Sequence, residues 1–309
     1  MSQQQLRDTH TRIVQRAPIT GDTIKRWSGQ SLIHIVLLVG AFVMLFPLFW
    51  MLLTSFKEQF YMEAANLVWF PPPWEARYWT TSHYAELLMR AAVVTSGGTD
   101  NFLTASINSF IYSGVTTFGN VLFCAMAGYA FAKRRFRGSH VILLALLATM
   151  MIPGIMVLLP NFVITVFGLR GYNNFVGLIV PGLASSFGVF LMRQYMLSIP
   201  DELLDAARVD GAGELRTFFT IVLPLATPII AAYGVLQALA YWNNLLWPLV
   251  ITKDLTVLQV ALLNLREIGA QRLGPVMAGA MISSAPVILL FLALRKQFVQ
   301  AMTSGALKG

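Results

Sequence analysis

Few residues of this sequence could do chemistry by their type and spacing. The four histidines, His10, His34, His83 and His140, show no H-x-x-x-H spacing, which gives a metal site little support. No lysine follows a glycine, so a G-x-x-x-x-G-K-[ST] phosphate loop is impossible, and no G-x-S-x-G turn occurs. The single cysteine, Cys124, lies in an apolar stretch and is expected to be a small buried hydrophobic residue. No catalytic residue and no metal ligand is therefore predicted.

One polar segment between two long apolar stretches has a pattern that predicts a short helix. Pro200 suits the first turn, and Asp201 and Glu202 favour the positive N-terminal end of a helix. Ser198 followed by Asp201 resembles a capping box. Gly211 is expected to end the helix with a positive φ.

The same segment leaves two interpretations open. Ala206 and Ala207 are small helical residues that permit the close approach of another surface. A second short helix is expected over residues 214–222, and Pro224 can begin the next apolar helix. The segment is either a helical hairpin lying on a membrane or a docking element for a partner.

The elements around this segment follow from composition and from the spacing of charge. Of 309 residues, 56% are hydrophobic and only 12% are charged, which excludes a disordered chain and makes a soluble enzyme improbable. Six windows of more than 20 residues contain no Asp, Glu, Lys or Arg, enough for a membrane-spanning helix in each. They are residues 27–56, 101–132, 138–169, 171–192, 217–252 and 273–294.

These windows predict an all-α integral membrane protein with six transmembrane helices. They lack the alternation of a β-barrel strand, and backbone groups in lipid must bond within the segment. With the N-terminus inside, 15 Lys and Arg lie on inside segments and 7 on outside segments. Both termini are therefore predicted to be cytoplasmic, and the net charge of +8 is read as a topology signal that requires no nucleic acid.

The predicted layout is a cytoplasmic arm, residues 1–26, and a transmembrane domain, residues 27–309. The first helix is expected to remain as an uncleaved anchor, and Pro153, Pro160, Pro181 and Pro228 are expected to kink helices. The boundaries are helices at about 32–53, 102–132, 141–166, 175–197, 225–250 and 274–294, external loops 54–100 and 253–272, an internal loop 198–224 and a tail 295–309.

The internal loop resembles the EAA loop of ABC importer permeases. That motif reads E-A-A, three residues, G, about nine residues, then I-x-L-P. Here it is Asp205-Ala206-Ala207, Gly211 and Ile221-Val222-Leu223-Pro224. Further segments resemble the carbohydrate-uptake branch, specifically its maltose-type second permease. These are Asn108-Ser109, Gly128-Tyr129-Ala130-Phe131-Ala132, Met151-Ile152-Pro153, Leu159-Pro160, Gly168-Leu169, Tyr241-Trp242-Asn243-Asn244, Trp247-Pro248-Leu249, Ala278-Gly279-Ala280, Pro286 and the tail 303–309.

The resemblance implies a type I ABC importer permease fold in a bacterial or archaeal cytoplasmic membrane. It implies a non-catalytic subunit that forms half of a sugar pore, for a disaccharide, oligosaccharide or related glycoside. The implied partners are a second permease, two ATPase subunits that bind ATP and Mg²⁺, an extracytoplasmic solute-binding protein and lipid. This chain itself would bind no cofactor.

Three sets of residues carry the site hypotheses. For ATPase coupling they are Asp205, Ala206, Ala207, Asp210 and Gly211. For a tail contact with the ATPase they are Ser304, Gly305, Lys308 and Gly309, against the alternative of a frayed terminus. For the translocation pathway they are Asn108, Asn161, Trp242, Asn243 and Asn244, whose amides could instead bond between helices.

The two external loops and the departures from the family pattern leave alternatives. Loop 54–100, with Pro71-Pro72-Pro73 and many aromatics, is either an interfacial cap or a partner contact. Residues 253–272 are expected to contain a short amphipathic helix, and the segment as a whole is the candidate contact with the binding protein. Asp205 stands where Glu is usual, Asn244 replaces an acidic residue, and Ala301 replaces a common Gly. Alternatives from other classes are a secondary carrier or channel that works alone and a structural subunit without a pore. The absence of charge within the windows argues against a proton-coupled carrier.

Overall fold

The structure is a computed structural model that describes residues 21–63, 66–89, 101–268 and 272–306. Side chains are described for residues 33–63, 66–89, 101–266 and 272–293. The chain divides into two units, Met1–Leu53 and Thr54–Gly309. Throughout the described ranges the regular structure is helical, with one isolated antiparallel bridge between Lys57 and Trp79.

The first unit contains most of helix α1, Gly21–Ser55, which has Pro47 in its interior. Its part from Ile33 to Ser55 is 23 residues long and apolar enough to cross a membrane. The sequence predicted a helix at about 32–53, so the apolar part lies where it was expected.

The second unit begins with two 3₁₀ turns, Gln59–Met62 and Ala76–Tyr78. Its helices are α2 Ser82–Met89, α3 Phe102–Lys133, α4 Ser139–Thr149, α5 Gly154–Gly168, α6 Phe175–Gly182, α7 Ser186–Met196, α8 Asp201–Val209, α9 Glu214–Leu225, α10 Thr227–Trp242, α11 Leu246–Ile251, α12 Leu258–Ile268 and α13 Leu273–Ala306. A π turn ends α5, at Ile164–Gly168, and another lies inside α9, at Phe218–Val222.

Two of the predicted spans, 141–166 and 175–197, are broken helices, and the predicted span 225–250 contains α10 and α11. Among the described residues, three helices are long and apolar enough to cross a membrane alone, in α1, α3 and α13. Three bent pairs meet the same test together: α4 with α5 at 102°, α6 with α7 at 42°, and α9 with α10 at 81°. The described chain therefore has three to six candidate spans by length and composition.

The prolines explain most of these breaks, but not as uniformly as expected. Pro153 has extended backbone angles between α4 and α5, and Pro181 lies in the last turn of α6. Pro228 occupies the first turn of α10, so it begins that helix and does not kink it. Pro160 lies inside α5, which continues past it.

Helix α3 is the central element of the second unit. Cys124 and Ala125 of α3, Met192 and Met196 of α7 and Tyr233 of α10 are all buried in one cluster. The two backbones of α3 and α7 approach closely, as small residues permit between membrane helices.

Gly128 makes that approach possible. A Cβ at this position would lie 2.6 Å from the Met192 Cβ and 2.9 Å from the Arg193 nitrogen. Since the second of these atoms belongs to the backbone, α7 would have to move away to accommodate any side chain at Gly128.

The segment before α2 is packed around a buried lysine. Lys57 is 1% exposed, and its Nζ donates to the carbonyl oxygens of Val68 at 2.7 Å and Trp69 at 3.3 Å. Burial lowers the pKa of this amine. His83 of α2 bonds to the Lys57 carbonyl oxygen at 3.0 Å. This part of loop 54–100 is therefore folded on itself.

Candidate functional site

The internal polar segment contains the predicted helix, now α8, but its N-terminus differs from the expectation. Pro200 is the N-cap residue, outside the first turn. The expected capping box does not form, because the Ser198 hydroxyl donates to the Tyr195 carbonyl oxygen at 2.7 Å. Asp201 and Glu202 do lie in the first turn, where the helix dipole favours their charge.

The N-terminus of α8 is fastened to the end of α3. The Lys133 side chain is only 5% exposed, and its Nζ donates to Asp201 Oδ1 at 2.7 Å. The same Nζ donates to the carbonyl oxygen of Ile199. One buried cation therefore holds both the first turn of α8 and the residue that precedes its N-cap.

The residue that follows α3 connects it to the helix after α8. Arg134 forms an ion pair with Glu214 in the first turn of α9 and donates to the Tyr129 hydroxyl at 2.6 Å. That hydroxyl lies 3.2 Å from Glu214 Oε2, to which it donates. Two consecutive side chains thus connect α3 to two successive helices.

Helix α8 has one buried and one exposed face. Leu204 and Ala207 are 3% and 5% exposed, so they pack against the rest of the chain. The other residues predicted for coupling, Asp205, Ala206, Asp210 and Gly211, are exposed. Ala207 therefore supports the helix from its inner side, and an incoming partner would meet the remaining four.

Two exposed apolar side chains on this helix were missed by sequence reasoning. Leu203 is 43% exposed and Val209 is 88% exposed. Neither side chain is fully covered by other parts of this chain, so both are accessible to a partner. The signal was available in the sequence, since both residues interrupt the polar face on which Asp205 and Ala206 lie.

Gly211 ends α8 in a Schellman motif. Its φ is +76°, as predicted, and its N–H donates to the Arg208 carbonyl oxygen at 3.0 Å. The Ala212 N–H donates to the Ala207 carbonyl oxygen at 2.9 Å, which completes the motif. The exposed Asp205–Arg208 ion pair, at 2.8 Å, lies within the helix.

A cavity of about 270 Å³ lies between α3, α5, α6 and the segment that joins α10 to α11. Asn161 and Asn244, both predicted for a pathway, line it. Its wall also includes three aromatic residues that were not predicted: Tyr112, Tyr241 and Trp247. These three residues lie on different helices, whose packing against one another could not be predicted from the sequence.

The other three predicted pathway residues bond elsewhere. Asn108 is buried and donates to the Thr256 carbonyl oxygen at 2.9 Å. The Trp242 indole is buried and donates to the Ser283 carbonyl oxygen at 3.0 Å. Asn243 donates to the Leu239 carbonyl oxygen of its own helix at 2.9 Å. The Asn108 and Trp242 bonds hold helices and loops together.

A second polar group surrounds the break between α6 and α7. The Gly182 carbonyl oxygen, at the end of α6, accepts from Asn120 Nδ2 and from the Tyr241 hydroxyl, both at 2.7 Å. The Tyr233 hydroxyl donates to Asn120 Oδ1 at 2.8 Å and lies 2.8 Å from the Ser185 hydroxyl. Sequence reasoning gave none of these residues a role.

Segment 253–272 contains the expected helix, α12, and the predicted contact of this segment with a binding protein stays a prediction. Leu258 and Ala261 are fully buried and Leu265 is 2% exposed, in a cluster with Phe102 and Ala105 of α3. Its leucine face is therefore covered by this chain's own helices. Outside α12, Lys253 and Asp254 are exposed. They lie in a turn that is held by hydrogen bonds to Asn173.

That turn is held by one side chain. Asn173 Oδ1 accepts from the backbone N–H groups of Lys253 and Asp254 at 2.9 Å each and of Leu255 at 3.1 Å. Asn173 has φ of +55°, a conformation that asparagine tolerates better than most residues.

The last helix extends further into the tail than expected. Helix α13 continues to Ala306, so the backbone at Ser304 and Gly305 is helical. Lys308 and Gly309 lie outside the described residues, and the predicted ATPase contact of the tail stays a prediction. Within the described part of the chain, no group of three or more His, Cys, Asp and Glu residues could hold a metal ion.

Comparison with known proteins gives the family. Residues 120–304 match the family model described as "Binding-protein-dependent transport system inner membrane component". The "Arabinooligosaccharides transport system permease protein AraQ" of Halalkalibacterium halodurans is 32% identical over 273 residues, covering 87% of this chain and 93% of the relative. The protein of that name from Bacillus subtilis is 37% identical over 204 residues, covering 65% and 72%.

Two further likenesses point the same way. The "sn-glycerol-3-phosphate transport system permease protein UgpE" of Yersinia pestis is 29% identical over 276 residues, covering 87% of this chain and 94% of the relative. A chain of "a bacterial ABC transporter involved in the import of the acidic polysaccharide alginate" has the same fold, with a TM-score of 0.72 at 23% identity, covering 91% and 99%.

The chain therefore belongs to the family of binding-protein-dependent transport system inner membrane components. Its members are non-catalytic permease subunits of ABC importers in the inner membrane. The resemblance recognised in the EAA-type loop is confirmed.

Proposed function

We propose that this chain is one of two permease subunits of an ATP-driven importer for a disaccharide, oligosaccharide or related glycoside. The observation that carries the proposal is the structure of α8. It is a capped, fastened helix on an EAA-type loop, with an exposed outer face that includes Leu203 and Val209. The arabinooligosaccharides named for two of the relatives support the sugar class.

The membrane arrangement has six spans with both termini in the cytoplasm. Single helices α1, α3 and α13 form three spans, and the pairs α4–α5, α6–α7 and α9–α10 form the others. The 15-to-7 distribution of Lys and Arg supports this orientation, because positive residues are retained on the cytoplasmic side. In this orientation α8 and the beginning of α9 lie in the cytoplasm, and the Asn173 turn lies outside.

The partners follow from the family. A second permease completes the pore, two ATPase subunits carry ATP and Mg²⁺, and an external solute-binding protein delivers the sugar. The outer face of α8, with Asp205, Ala206, Asp210 and Gly211, docks on an ATPase subunit. Residues 304–309 of the tail make a second contact with the ATPase dimer.

Force transmission requires that α8 move as a rigid body with the membrane helices. When ATP closes the ATPase dimer, the displacement of α8 reaches α3 through the Lys133–Asp201 pair. The displacement of α9 reaches the same helix through Arg134 and Glu214. Both contacts join α3, whose other neighbours are α7 and α10, so the motion spreads to the pore helices as alternating access between packed states.

Reconstitution of the full complex in liposomes tests this function. Sugar uptake is expected only with ATP inside and loaded binding protein outside. Uptake without ATP would establish a secondary carrier or channel. Failure of this chain to co-purify with an ATPase subunit, together with absence of uptake and of sugar-stimulated ATP hydrolysis, would indicate a structural subunit.

A further inference from the structure

We infer that the cavity between α3, α5, α6 and the α10–α11 junction is a subsite for one neutral sugar ring, held by this subunit itself. The inference rests on the proposed importer function and adds to it the residues that touch the sugar. Two polar residues of its wall, Asn161 and Tyr112, carry the inference.

Both groups have hydrogen-bonding capacity to spare. Tyr112 is 2% exposed as a residue, and its hydroxyl accepts from Asn244 Nδ2 at 3.1 Å. Across the described residues, no acceptor lies at hydrogen-bonding geometry for the hydroxyl proton, and no partner bonds the Asn161 side chain. A phenol that accepts one bond and keeps its proton is a directed donor, and an amide is both donor and acceptor.

The aromatic members of the wall are fixed in orientation. The Trp247 indole donates to the Gly177 carbonyl oxygen at 3.0 Å. The Tyr241 hydroxyl donates to the Gly182 carbonyl oxygen at 2.7 Å. Rings whose polar atoms are already bonded present apolar faces, on which the C–H face of a sugar can pack. The wall thus combines apolar surfaces of fixed orientation with a few polar groups that can still form hydrogen bonds. Small-molecule sites share this combination.

The charge and size of the cavity define the ligand class. No Lys, Arg, Asp or Glu is among the residues that line it. A phosphorylated or acidic sugar would lose its hydration there without gaining an opposite charge, which is costly. A volume of about 270 Å³ suits a single ring, so a longer substrate would extend into the half of the pathway built by the partner subunit.

The test uses Asn161→Leu and Tyr112→Phe in the complete complex, which includes the partner permease, the ATPase subunits and the binding protein. The first change removes an amide at similar size, and the second removes only a hydroxyl. Tyr195→Phe is the matched control, since its hydroxyl donates to the Leu225 carbonyl oxygen on another part of the fold. Probes are radiolabelled arabinobiose, maltose and cellobiose.

At saturating loaded binding protein, each test variant is expected to lower the maximal uptake rate by roughly 3- to 10-fold, the worth of one hydrogen bond. ATP hydrolysis stimulated by the binding protein should stay within about twofold of wild type, whereas the control should match wild type in both assays. This split between transport and hydrolysis is not expected from general structural damage.

Three results would contradict the subsite or the proposed function. If both test variants take up sugar at the wild-type rate, the subsite is wrong while the importer function stands. If uptake and hydrolysis fall in proportion in both variants, the residues are structural and the subsite is again wrong. If the wild-type complex takes up none of the three sugars, the proposed function itself fails for neutral disaccharides.

Discussion

Lys133 Nζ lies 2.7 Å from Asp201 Oδ1, and this contact joins the end of α3 to the beginning of α8. The two side chains differ sharply in exposure, with Lys133 at 5% and Asp201 at 75%. The buried cation also donates to the Ile199 carbonyl oxygen. Replacing it would therefore release two acceptors at once.

Lys133→Met should uncouple the transporter. The substitution keeps the apolar stem and removes the ammonium, so α8 loses its fastening while the core remains filled. Sugar uptake is expected to fall roughly 10-fold, in line with hydrogen bonds to a charged group. Arg135→Met, an exposed neighbouring cation, is the matched control and should leave uptake unchanged. Equal uptake by the two variants would rule out the role given to Lys133.

Substitution of Gly211 should weaken the end of α8 through backbone strain alone. No atom lies within 4 Å of the Cβ that an alanine would add, so the penalty comes from the φ of +76°. That penalty is about 1–2 kcal/mol for an L-residue, and Gly211→Val should be worse than Gly211→Ala because valine is β-branched.

Gly213 provides the control for this prediction. It also has open space around its Cβ position, but its φ is −72°. Gly213→Ala should therefore retain uptake and ATPase coupling, while Gly211→Val loses coupling with the complex still assembled. Normal transport by Gly211→Val would remove the capped end of α8 from the mechanism.

Val209→Asp should prevent the ATPase from docking. Val209 is 88% exposed, so the change leaves the fold of this chain intact. In the docked complex the new carboxylate would be buried without a partner. Co-purification of the ATPase with this chain is expected to drop roughly 10-fold or more. Retention of the ATPase at the wild-type ratio would place the docking surface elsewhere.

Tyr233→Phe should destabilise the break between α6 and α7. The hydroxyl donates to Asn120 Oδ1 and accepts from Gln237 Nε2 at 2.7 Å, and the residue is fully buried. Loss of the hydroxyl leaves buried groups without a partner, at about 1–3 kcal/mol. A lower melting temperature of the purified complex is the expected readout. No change relative to Tyr195→Phe would show that the network adds no stability.

The positions of the helices could be predicted from the sequence because charge is excluded from lipid. The apolar parts of α1, α3 and α13 fall within the charge-free windows 27–56, 101–132 and 273–294, and Gly211 could be assigned a positive φ from its place after a short helix. Breaks within the other windows were only partly predictable. Pro153 and Pro181 mark two of them, but Pro160 lies inside a helix that continues past it.

The packing of side chains could not be predicted from local pattern. Whether Ala206 or Ala207 faces outward depends on the rotation of α8, which the Lys133 contact and the burial of Leu204 determine. The cavity wall joins Tyr112 to Asn244, which are 132 residues apart in the chain. No periodicity within one helix carries information about such a pair.

The break between α6 and α7 has a consequence for the order in which the helices can pack. The Gly182 carbonyl oxygen at the break accepts from Tyr241, which lies 59 residues later in the chain. At a synthesis rate of about 5–20 residues per second, the ribosome needs several seconds to deliver that donor. Until Tyr241 has been synthesised, the Gly182 carbonyl oxygen can accept only from Asn120. We therefore expect α6 and α10 to reach their final packing only after synthesis has passed Tyr241.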